Sequence, residues 1–535
     1  MTALTGTGKL VRLILRRDRV LLPLWILSFA GLMASIVASF NGLFPTAAER
    51  QSYADASAAD AGFVSLYGPL HGSSLGELSV WRAGFYPVLI ALIALLTVIR
   101  HTRTEEETGR RELLGATVVG RHAALAAALL VTLAANLVLA AAVAAAMAGQ
   151  GLPTGGSVAA GLQLAAAGWV FAAAGAVAAQ LTSGAGAARG IAVAVLGGTW
   201  LLRVIGDVSG LSGGGLSWLS WLSPIGWAHR LRPYAGEQWW VLGLVVALTA
   251  LLAVAAVALE ARRDVGAGLL PDRPGPASAA SGLRSPLALA WRLHRGLLAS
   301  WTAGFAVVGV VLGGAASSVG DMVADNQALE DIFTRMGGRT GVVDAYLVSV
   351  MTILGLMAAG YAIQATLRLR AEETSGRAEP VLATAVGRLQ WAGSHLVFSV
   401  MGSALALVAA GLTTGLTYGL SSGDVGHQLS RVLEGALVQV PAVWVLAAVA
   451  VALVGLAPRF AAVTWGALGV CVVLGLVGAA LQLDQWVMDL SPFTHVPKVP
   501  GDALSATTLV LLLALAAALG GAGLAGLRRR GIPAS

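Results

Sequence analysis

The chain has 535 residues, of which 57% are hydrophobic and 11% are charged. Soluble domains carry about 25% charged residues, so most of this protein's surface faces a medium other than water. The single cysteine, Cys471, excludes an internal disulfide and a cysteine metal cluster. The composition therefore indicates an integral membrane protein.

Apolar segments of membrane-spanning length recur along the whole chain. A transmembrane helix needs about 20 apolar residues, and in lipid only helices and closed barrels satisfy every backbone polar group. Barrel strands alternate apolar and polar residues, whereas these runs are apolar on all sides. We predict an all-α membrane protein with about twelve transmembrane helices. They cover roughly 20–40, 85–102, 122–148, 158–181, 188–206, 239–259, 297–317, 345–367, 391–420, 433–455, 460–482 and 504–527.

Positive charges are concentrated on one side of this predicted topology. They precede the first helix, follow the second and the eighth, fill the segment between the sixth and the seventh, and close the chain. This side holds about 25 of the 34 lysine and arginine residues, so the positive-inside rule assigns it to the cytoplasm. An even number of helices then places both termini in the cytoplasm.

Three motifs recur in the same order, which indicates two related halves. The segment 106–121 (EETGRRELLGATVVGR) matches 372–388 (EETSGRAEPVLATAVGR), with Ser375 taken as one inserted residue. Six helices per half make the repeats parallel, related by an axis along the membrane normal, an arrangement found in transporters. The further matching pairs are 15–31 with 292–309 and 222–224 with 490–492.

We divide the chain into a first transmembrane half at 1–259, a cytoplasmic linker at 260–289 and a second transmembrane half at 290–535. The linker is rich in Gly, Pro and Ser and has no periodic apolar face. Each half opens with a basic amphipathic stretch, at 9–19 and 290–295, which we predict to be an elbow helix along the inner leaflet. The alternative is an ordinary positively charged flank.

The repeated loop after the second helix of each half is the best-preserved match. Its acidic start suits a helix N-terminus, and its closing Arg121 or Arg388 suits the C-terminal end. We therefore predict a short amphipathic helix in each copy, the alternative being a solvated connecting loop. The glutamate run, the Glu-Leu-Leu core and the closing Val-Gly-Arg resemble the cytoplasmic loop of ABC-2 type transporter permeases. The two fused halves resemble the actinobacterial branch that exports polyketide antibiotics, typified by the tetronasin permease.

In that family this loop forms a coupling helix that docks on the ATPase subunit. The resemblance covers nearly the whole chain and implies ATPase contacts from both loops. Pro380 stands where the first copy has Leu113, so we do not expect the two docking sites to be equivalent. The implied contact residues are Glu105, Glu106, Glu107, Arg110, Glu112, Leu114, Arg121, Glu372, Glu373, Arg377, Glu379, Leu382 and Arg388.

The chain carries no ATPase motif of its own. The stretch 6–9 (GTGK) lacks the earlier glycine and the following Ser or Thr that a phosphate loop needs. The resemblance therefore implies a permease subunit rather than an enzyme, powered by two copies of a separate ATPase that would bind ATP and Mg²⁺. We expect no cofactor, metal or nucleic acid on this chain, and its eight histidines show no metal-ligand spacing.

In the same family the substrate cavity lies between the second and fifth helices of both halves. A pocket of aromatic and amide side chains suits a large apolar drug. Packing is the alternative role for each single residue. The candidate cavity residues are Phe85, Tyr86, Trp200, Tyr361, Gln364 and Trp465.

The expected function is export of polyketide antibiotics or other hydrophobic drugs across a bacterial plasma membrane. One alternative is a proton-coupled secondary multidrug antiporter, which needs a titrating carboxylate in its pathway. The predicted helix interiors contain essentially no Asp or Glu, which disfavours it. Another is a membrane-embedded enzyme acting on lipid intermediates, for which no cluster of Asp, His or Lys is found.

Overall fold

The chain folds into two compact units, one of residues 1–275 and one of residues 276–535. Each unit holds its own apolar clusters of buried side chains. The computed structural model describes residues 3–211, 213–270, 275, 277–324, 338–477, 484–499 and 505–531.

The first unit is built from long apolar helices and a group of short ones. The short helices α3 to α5 lie between the first two long helices, and Arg203 of α11 donates to the carbonyls of Val64 and Ser65 at the end of α4. Arg203 is fully buried, so it satisfies carbonyls that the end of a helix leaves open. The helices are α1 (Thr7–Arg17), α2 (Leu21–Leu43), α3 (Ala47–Ala58), α4 (Ala61–Tyr67), α5 (Leu75–Arg82), α6 (Tyr86–His101), α7 (Arg103–Glu107), α8 (Arg110–Gly115), α9 (Ala123–Ala148), α10 (Thr154–Leu181), α11 (Ala185–Leu211), α12 (Pro224–His229) and α13 (Val241–Ala261).

The second unit repeats the order of long helices. A Ser-Pro pair precedes the last long helix in both units, and in each the serine side chain accepts a backbone N–H that follows the proline. The helices are α14 (Pro286–Ala324), α15 (Gly338–Thr374), α16 (Ala378–Leu382), α17 (Arg388–Ser422), α18 (Val425–Leu437), α19 (Val440–Leu456), α20 (Val463–Val477), α21 (Gln485–Met488) and α22 (Ala506–Arg529).

Eleven helices among the described residues are long and apolar enough to cross a membrane. A shorter apolar helix, α20, adds the segment that completes a set of twelve. Each of the twelve predicted segments coincides with one of these helices, and the described residues contain no strand. The prediction of an all-α, multi-pass membrane protein with about twelve transmembrane helices is confirmed.

The two halves open differently, although both were predicted to open with an elbow helix. In the first half α1 is separate from α2, whereas α14 runs without a break from Pro286 into its span. The reason lies at Pro23, whose counterpart in the second half is Ala299. A proline has no N–H and clashes with the carbonyl four residues earlier, so α2 starts afresh at Leu21. The separate elbow predicted at 290–295 is corrected to the first turns of a continuous helix.

Close contacts between helices depend on small residues. A Cβ on Gly161 of α10 would lie 2.1 Å from the carbonyl oxygen of Ala140 on α9. A Cβ on Gly455 of α19 would lie 1.9 Å from the carbonyl oxygen of Gly523 on α22. Such distances are far below contact, so these backbones approach each other only because the side chains are absent, as is common between membrane helices.

Candidate functional site

The repeated loop turns at an equivalent glycine in both halves. In the first half α7 and α8 are separated by Gly109, and in the second half α15 and α16 are separated by Gly376. Both glycines have φ of 71°, a left-handed conformation that favours glycine. Their residue numbers differ by 267 (376 minus 109), which aligns the loops without a gap, so the insertion predicted at Ser375 is wrong.

In the first half the loop is held by a buried ion cluster, which we call the first clasp and define as Arg103, Glu106 and Arg263. Glu106 accepts from Arg103 Nη1 at 2.6 Å and from both terminal nitrogens of Arg263 at 2.9 Å. The side chains of Arg103 and Glu106 are 0% exposed. The cluster joins the end of the second span to the residues that follow the last span of the half.

The second half carries the same cluster at the same register, and we define the second clasp as Arg370, Glu373 and Arg530. Arg530 Nη2 donates to both carboxylate oxygens of Glu373, at 2.6 and 2.7 Å, and Arg370 Nη1 lies 3.3 Å from Glu373. The Glu373 side chain is 0% exposed. Each member is 267 residues after its counterpart (370 minus 103, 373 minus 106, 530 minus 263), so the two clasps are equivalent elements of the repeat.

The closing arginine of each loop donates to the backbone carbonyl of the clasp arginine that follows the last span. Arg121 Nη2 donates to the carbonyl oxygen of Arg263 at 3.1 Å, and Arg388 Nη1 donates to the carbonyl oxygen of Arg530. These two arginines were predicted to suit the end of a short helix. They instead bind the backbone that follows the last span, so Arg263 and Arg530 are each held by both their side chain and their carbonyl.

Further charges surround the first clasp. Arg111 contacts Glu106 and binds Glu260 at 2.6 Å, and Glu260 also binds His122 Nδ1 at 2.8 Å. Burial lowers the pKa of Arg263, and the nearby Glu260 carboxylate opposes that shift. Arg263 Nε donates to the side-chain oxygen of Gln180 at 2.7 Å, so its donors are matched to acceptors on α10 and on the loop. A buried charge needs such pairing to remain ionised.

A second set of polar contacts binds the start of each half to helices and loops that follow it. Arg17 of α1 donates to Glu105 at 2.8 Å, and His101 Nε2 lies 2.6 Å from Asp18. In the second half, His294 Nε2 lies 3.0 Å from His395 Nδ1, with both rings buried. The start of the first half is therefore bound beside the repeated loop, and the start of the second half is bound to α17.

The predicted ATPase-contact residues differ in their exposure. Glu106, Glu372 and Glu373 are buried within their own halves. Glu105 and Leu382 are half-buried, and the Leu114 side chain lies outside the described part of the chain. Glu107 is exposed, yet also accepts from the backbone N–H of Ala185 at 3.0 Å. The other exposed members are Arg110, Glu112, Arg121, Arg377, Glu379 and Arg388.

The two loops differ in the apolar surface that they expose. In the first loop Leu113 is 76% exposed and Val118 is 65% exposed. Their counterparts Pro380 and Ala385 are also exposed but smaller. The apolar side chains of the second loop pack instead against the cluster around Trp391; they are Val381, Leu382 and Val386. We call Leu113 and Val118 the exposed patch of the first loop.

Two of the predicted cavity residues meet in the first half. The rings of Phe85 and Trp200 pack edge to face with centroids 6.2 Å apart, and Trp200 is largely buried. Tyr86 packs edge to face against Phe29 of α2, with centroids 5.3 Å apart. Phe85 and Trp200 therefore form one aromatic contact between α11 and the start of α6, which Tyr86 does not join.

In the second half the predicted cavity residues lie around Trp301, which packs edge to face on Tyr361 with centroids 6.0 Å apart. A Cβ on Gly360 would lie within 4 Å of both Trp301 and Trp465. The Tyr361 side chain is fully buried, and its hydroxyl donates to the carbonyl oxygen of Phe398 at 2.8 Å. None of the Tyr361 side chain reaches a surface of that half in this structure. Gln364 is exposed and accepts from Trp301 Nε1 at 3.1 Å, while Trp465 is exposed.

Sequence reasoning missed the arginine members of both clasps, Arg103, Arg263, Arg370 and Arg530. The signal that could have found them is the constant difference of 267 residues, which extends beyond the loop to the Arg-Arg pairs after each last span. It was hidden by the gap placed at Ser375, because a gap shifts Glu106 onto Glu372 instead of Glu373.

A family model described as "Multidrug efflux system permease Rv1217c, C-terminal domain" matches residues 283–528. Over 529 residues the chain is 46% identical to the multidrug efflux system permease protein Rv1217c of Mycobacterium tuberculosis (strain ATCC 25618 / H37Rv), a match that covers 99% of this chain and 95% of that relative. The chain therefore belongs to the family of multidrug efflux system permeases that includes Rv1217c.

Proposed function

We propose that this chain is the membrane-spanning permease subunit of an ATP-driven exporter of hydrophobic drugs, with polyketide antibiotics among its substrates. Two copies of a separate ATPase subunit bind ATP and Mg²⁺ and dock on the repeated loops. The loop end of each half lies in the cytoplasm together with both termini, in a bacterial plasma membrane. Dimerisation of the ATPases would draw the loops together and rock the halves between inward and outward openings.

The observation that carries this proposal is the exposed patch of the first loop. Leu113 and Val118 stand in a segment rich in charged residues, outside the helices of membrane-spanning length. Large apolar side chains exposed beyond the bilayer indicate a protein partner rather than lipid. Membership of a multidrug efflux permease family supports the drug-transport part of the proposal, and the missing phosphate-loop motif supports a separate energy source.

The first test is purification of the tagged chain from cells that also express the ATPase encoded beside it. We expect the ATPase to co-purify at two copies per chain, and a transported drug to stimulate ATP hydrolysis in proteoliposomes. A chain that carries no ATPase, and whose drug efflux survives ATP depletion but stops when the proton gradient collapses, would instead be a proton-coupled antiporter.

The second test uses a matched pair of substitutions at equivalent positions of the two loops. Val118→Asp places a carboxylate in the exposed patch, and Ala385→Asp places one at the same register in the second loop. We expect Val118→Asp to weaken ATPase binding about tenfold, because a carboxylate pressed into an apolar contact loses hydration. Ala385→Asp should bind within about twofold of the unsubstituted chain. Equal weakening by both would mean that the loops dock equivalently, and no weakening by either would remove the patch from the docking site.

A further inference from the structure

We propose that Arg263 and Arg530 are positioning residues of the transport cycle, each of which locks the loop of its half to the end of that half's last span. Loop and span then move as one body when the partner pulls on the loop. The inference deepens the proposed function and rests on it for the identity of the partner. Neither arginine has a role in the sequence-derived coupling site.

The contacts of Arg263 and Arg530 couple the loop of each half to the end of its last span. Each arginine is gripped twice, by a buried glutamate at its guanidinium and by a second arginine at its carbonyl. A single contact would let the loop pivot, whereas contacts from both sides of one residue fix its direction as well as its distance. The loop therefore cannot swing without carrying the last span with it.

The free energy of the buried ion pairs does not by itself explain why charges stand at these positions. A buried ion pair is weak evidence for stability, because desolvating the charges costs about as much as their attraction returns. Apolar residues of similar size would hold the same elements together at least as well. Yet charge recurs at one register in the loop and after the last span of both halves, at eight positions. Four of these form the clasps and the arginines that bind their carbonyls, namely Arg103 and Arg370, Glu106 and Glu373, Arg121 and Arg388, and Arg263 and Arg530. The other four pairs are Glu105 and Glu372, Arg110 and Arg377, Glu112 and Glu379, and Arg262 and Arg529. A directional requirement explains why the clasps hold buried charges in both halves better than stability does.

The two clasps differ in one way that makes a sharp test possible. Arg530 reaches both oxygens of Glu373 through a single nitrogen, which one ammonium group can reproduce. Arg263 uses two nitrogens on Glu106 and a third on Gln180, a fork that lysine cannot reproduce. We therefore expect Arg530→Lys to transport drug within about twofold of the unsubstituted chain and Arg263→Lys to lose about tenfold.

The main experiment measures drug efflux from cells that express Arg263→Gln or Arg530→Gln in the full-length chain. Arg262→Gln and Arg529→Gln are the matched controls, since these adjacent arginines are exposed. We expect efflux to fall about tenfold in each clasp variant while the controls are unchanged. In the purified complex, ATP hydrolysis should continue within about twofold, so that transport per ATP falls; a purely structural role would lower both rates together. Normal efflux by both clasp variants would overturn the proposal.

A cross-link tests whether the contact between Glu373 and Arg530 stays closed during transport or has to open. Glu373→Cys and Arg530→Cys are combined with Cys471→Ala, which removes the one native thiol, and are bridged with a bifunctional thiol reagent. Uncross-linked protein should transport poorly, and the bridge should restore efflux because the covalent link replaces the clasp. Efflux that stays low or falls further on bridging would mean that a closed contact does not support transport, which overturns the proposal. Cellular efflux can be measured whatever the energy source of transport is. If the chain has no ATPase partner, the proposed function is refuted, but the efflux of the clasp variants still shows whether the clasps are needed for transport.

Discussion

At the scale of single residues, a run of glutamates in a polar loop does not mean that each one meets water. Glu106 is enclosed by arginines, whereas Glu112, six residues later on α8, is exposed. Removing one member of a buried ion cluster leaves the other charges unpaired, which costs more than the intact cluster contributes. The same chemical change is therefore expected to destabilise the protein strongly at Glu106 and hardly at all at Glu112.

We expect Glu106→Gln to lower the free energy of unfolding by about 3 kcal/mol, because Arg103 and Arg263 remain buried without their carboxylate. The matched Glu112→Gln should change it by no more than about 0.5 kcal/mol. Thermal unfolding of the two variants in the same detergent measures the difference. Equal midpoints would mean that water already reaches Glu106.

A second residue-scale prediction concerns pH at the end of α12. Burial, reinforced by the charge of Arg203, lowers the pKa of His229 to about 3. In the unfolded chain the ring titrates near its ordinary value of about 6.5, so protons bind the unfolded state preferentially and stability falls as the pH falls below that value. Between pH 7 and pH 5 this one group should remove about 2 kcal/mol.

The measurement is the shift of the thermal midpoint between pH 7 and pH 5 in the unsubstituted chain and in His229→Gln. The glutamine variant has no ring to protonate, so its midpoint should move less over that interval. Identical shifts in both proteins would show that His229 takes up its proton as readily in the folded as in the unfolded chain.

At the scale of helices, contact between α19 and α22 depends on a glycine. A Cβ on Gly523 would lie 2.5 Å from the carbonyl oxygen of Val451, whereas a Cβ on Gly521 of the same helix meets nothing within 4 Å. We expect Gly523→Ala to destabilise the protein by about 2 kcal/mol, since an added methyl forces the two backbones apart. Gly521→Ala should be neutral or slightly stabilising, because alanine favours the helix. Equal thermal midpoints for the two variants would contradict this account.

Helix positions were predictable because they depend on local composition. Long apolar runs specify spans wherever they occur, and the predicted ends lie within a few residues of the observed ones for segments such as α9. The separate elbow helix predicted for the second half was wrong because the break after an elbow depends on one residue and not on overall composition. Its basic pattern matches that of the first half, but the break between elbow and span depends on Pro23, which the second half lacks.

At the scale of the whole molecule, the prediction that remains to be measured is orientation. In a chain with Cys471→Ala, we expect a membrane-impermeant maleimide to label Gln51→Cys on α3 in intact cells, because the positive-inside rule places that end outside. Ser375→Cys, next to the second clasp, should react only after the cells are permeabilised. Both substituted residues are exposed, so access to the reagent depends on sidedness alone. The reverse pattern would place the loops and both termini outside the cell.

The amino-acid sequence by itself determined that the chain is helical, crosses a membrane many times and repeats its plan, because hydropathy and self-similarity are properties of neighbouring or aligned residues. Only the tertiary structure decided which charges of the repeated loop are buried. That depends on pairing across 157 positions, from Glu106 to Arg263 and from Glu373 to Arg530. No local pattern separates a carboxylate that meets water from one that meets a distant arginine, because the difference arises only when the last span of each half returns beside the loop.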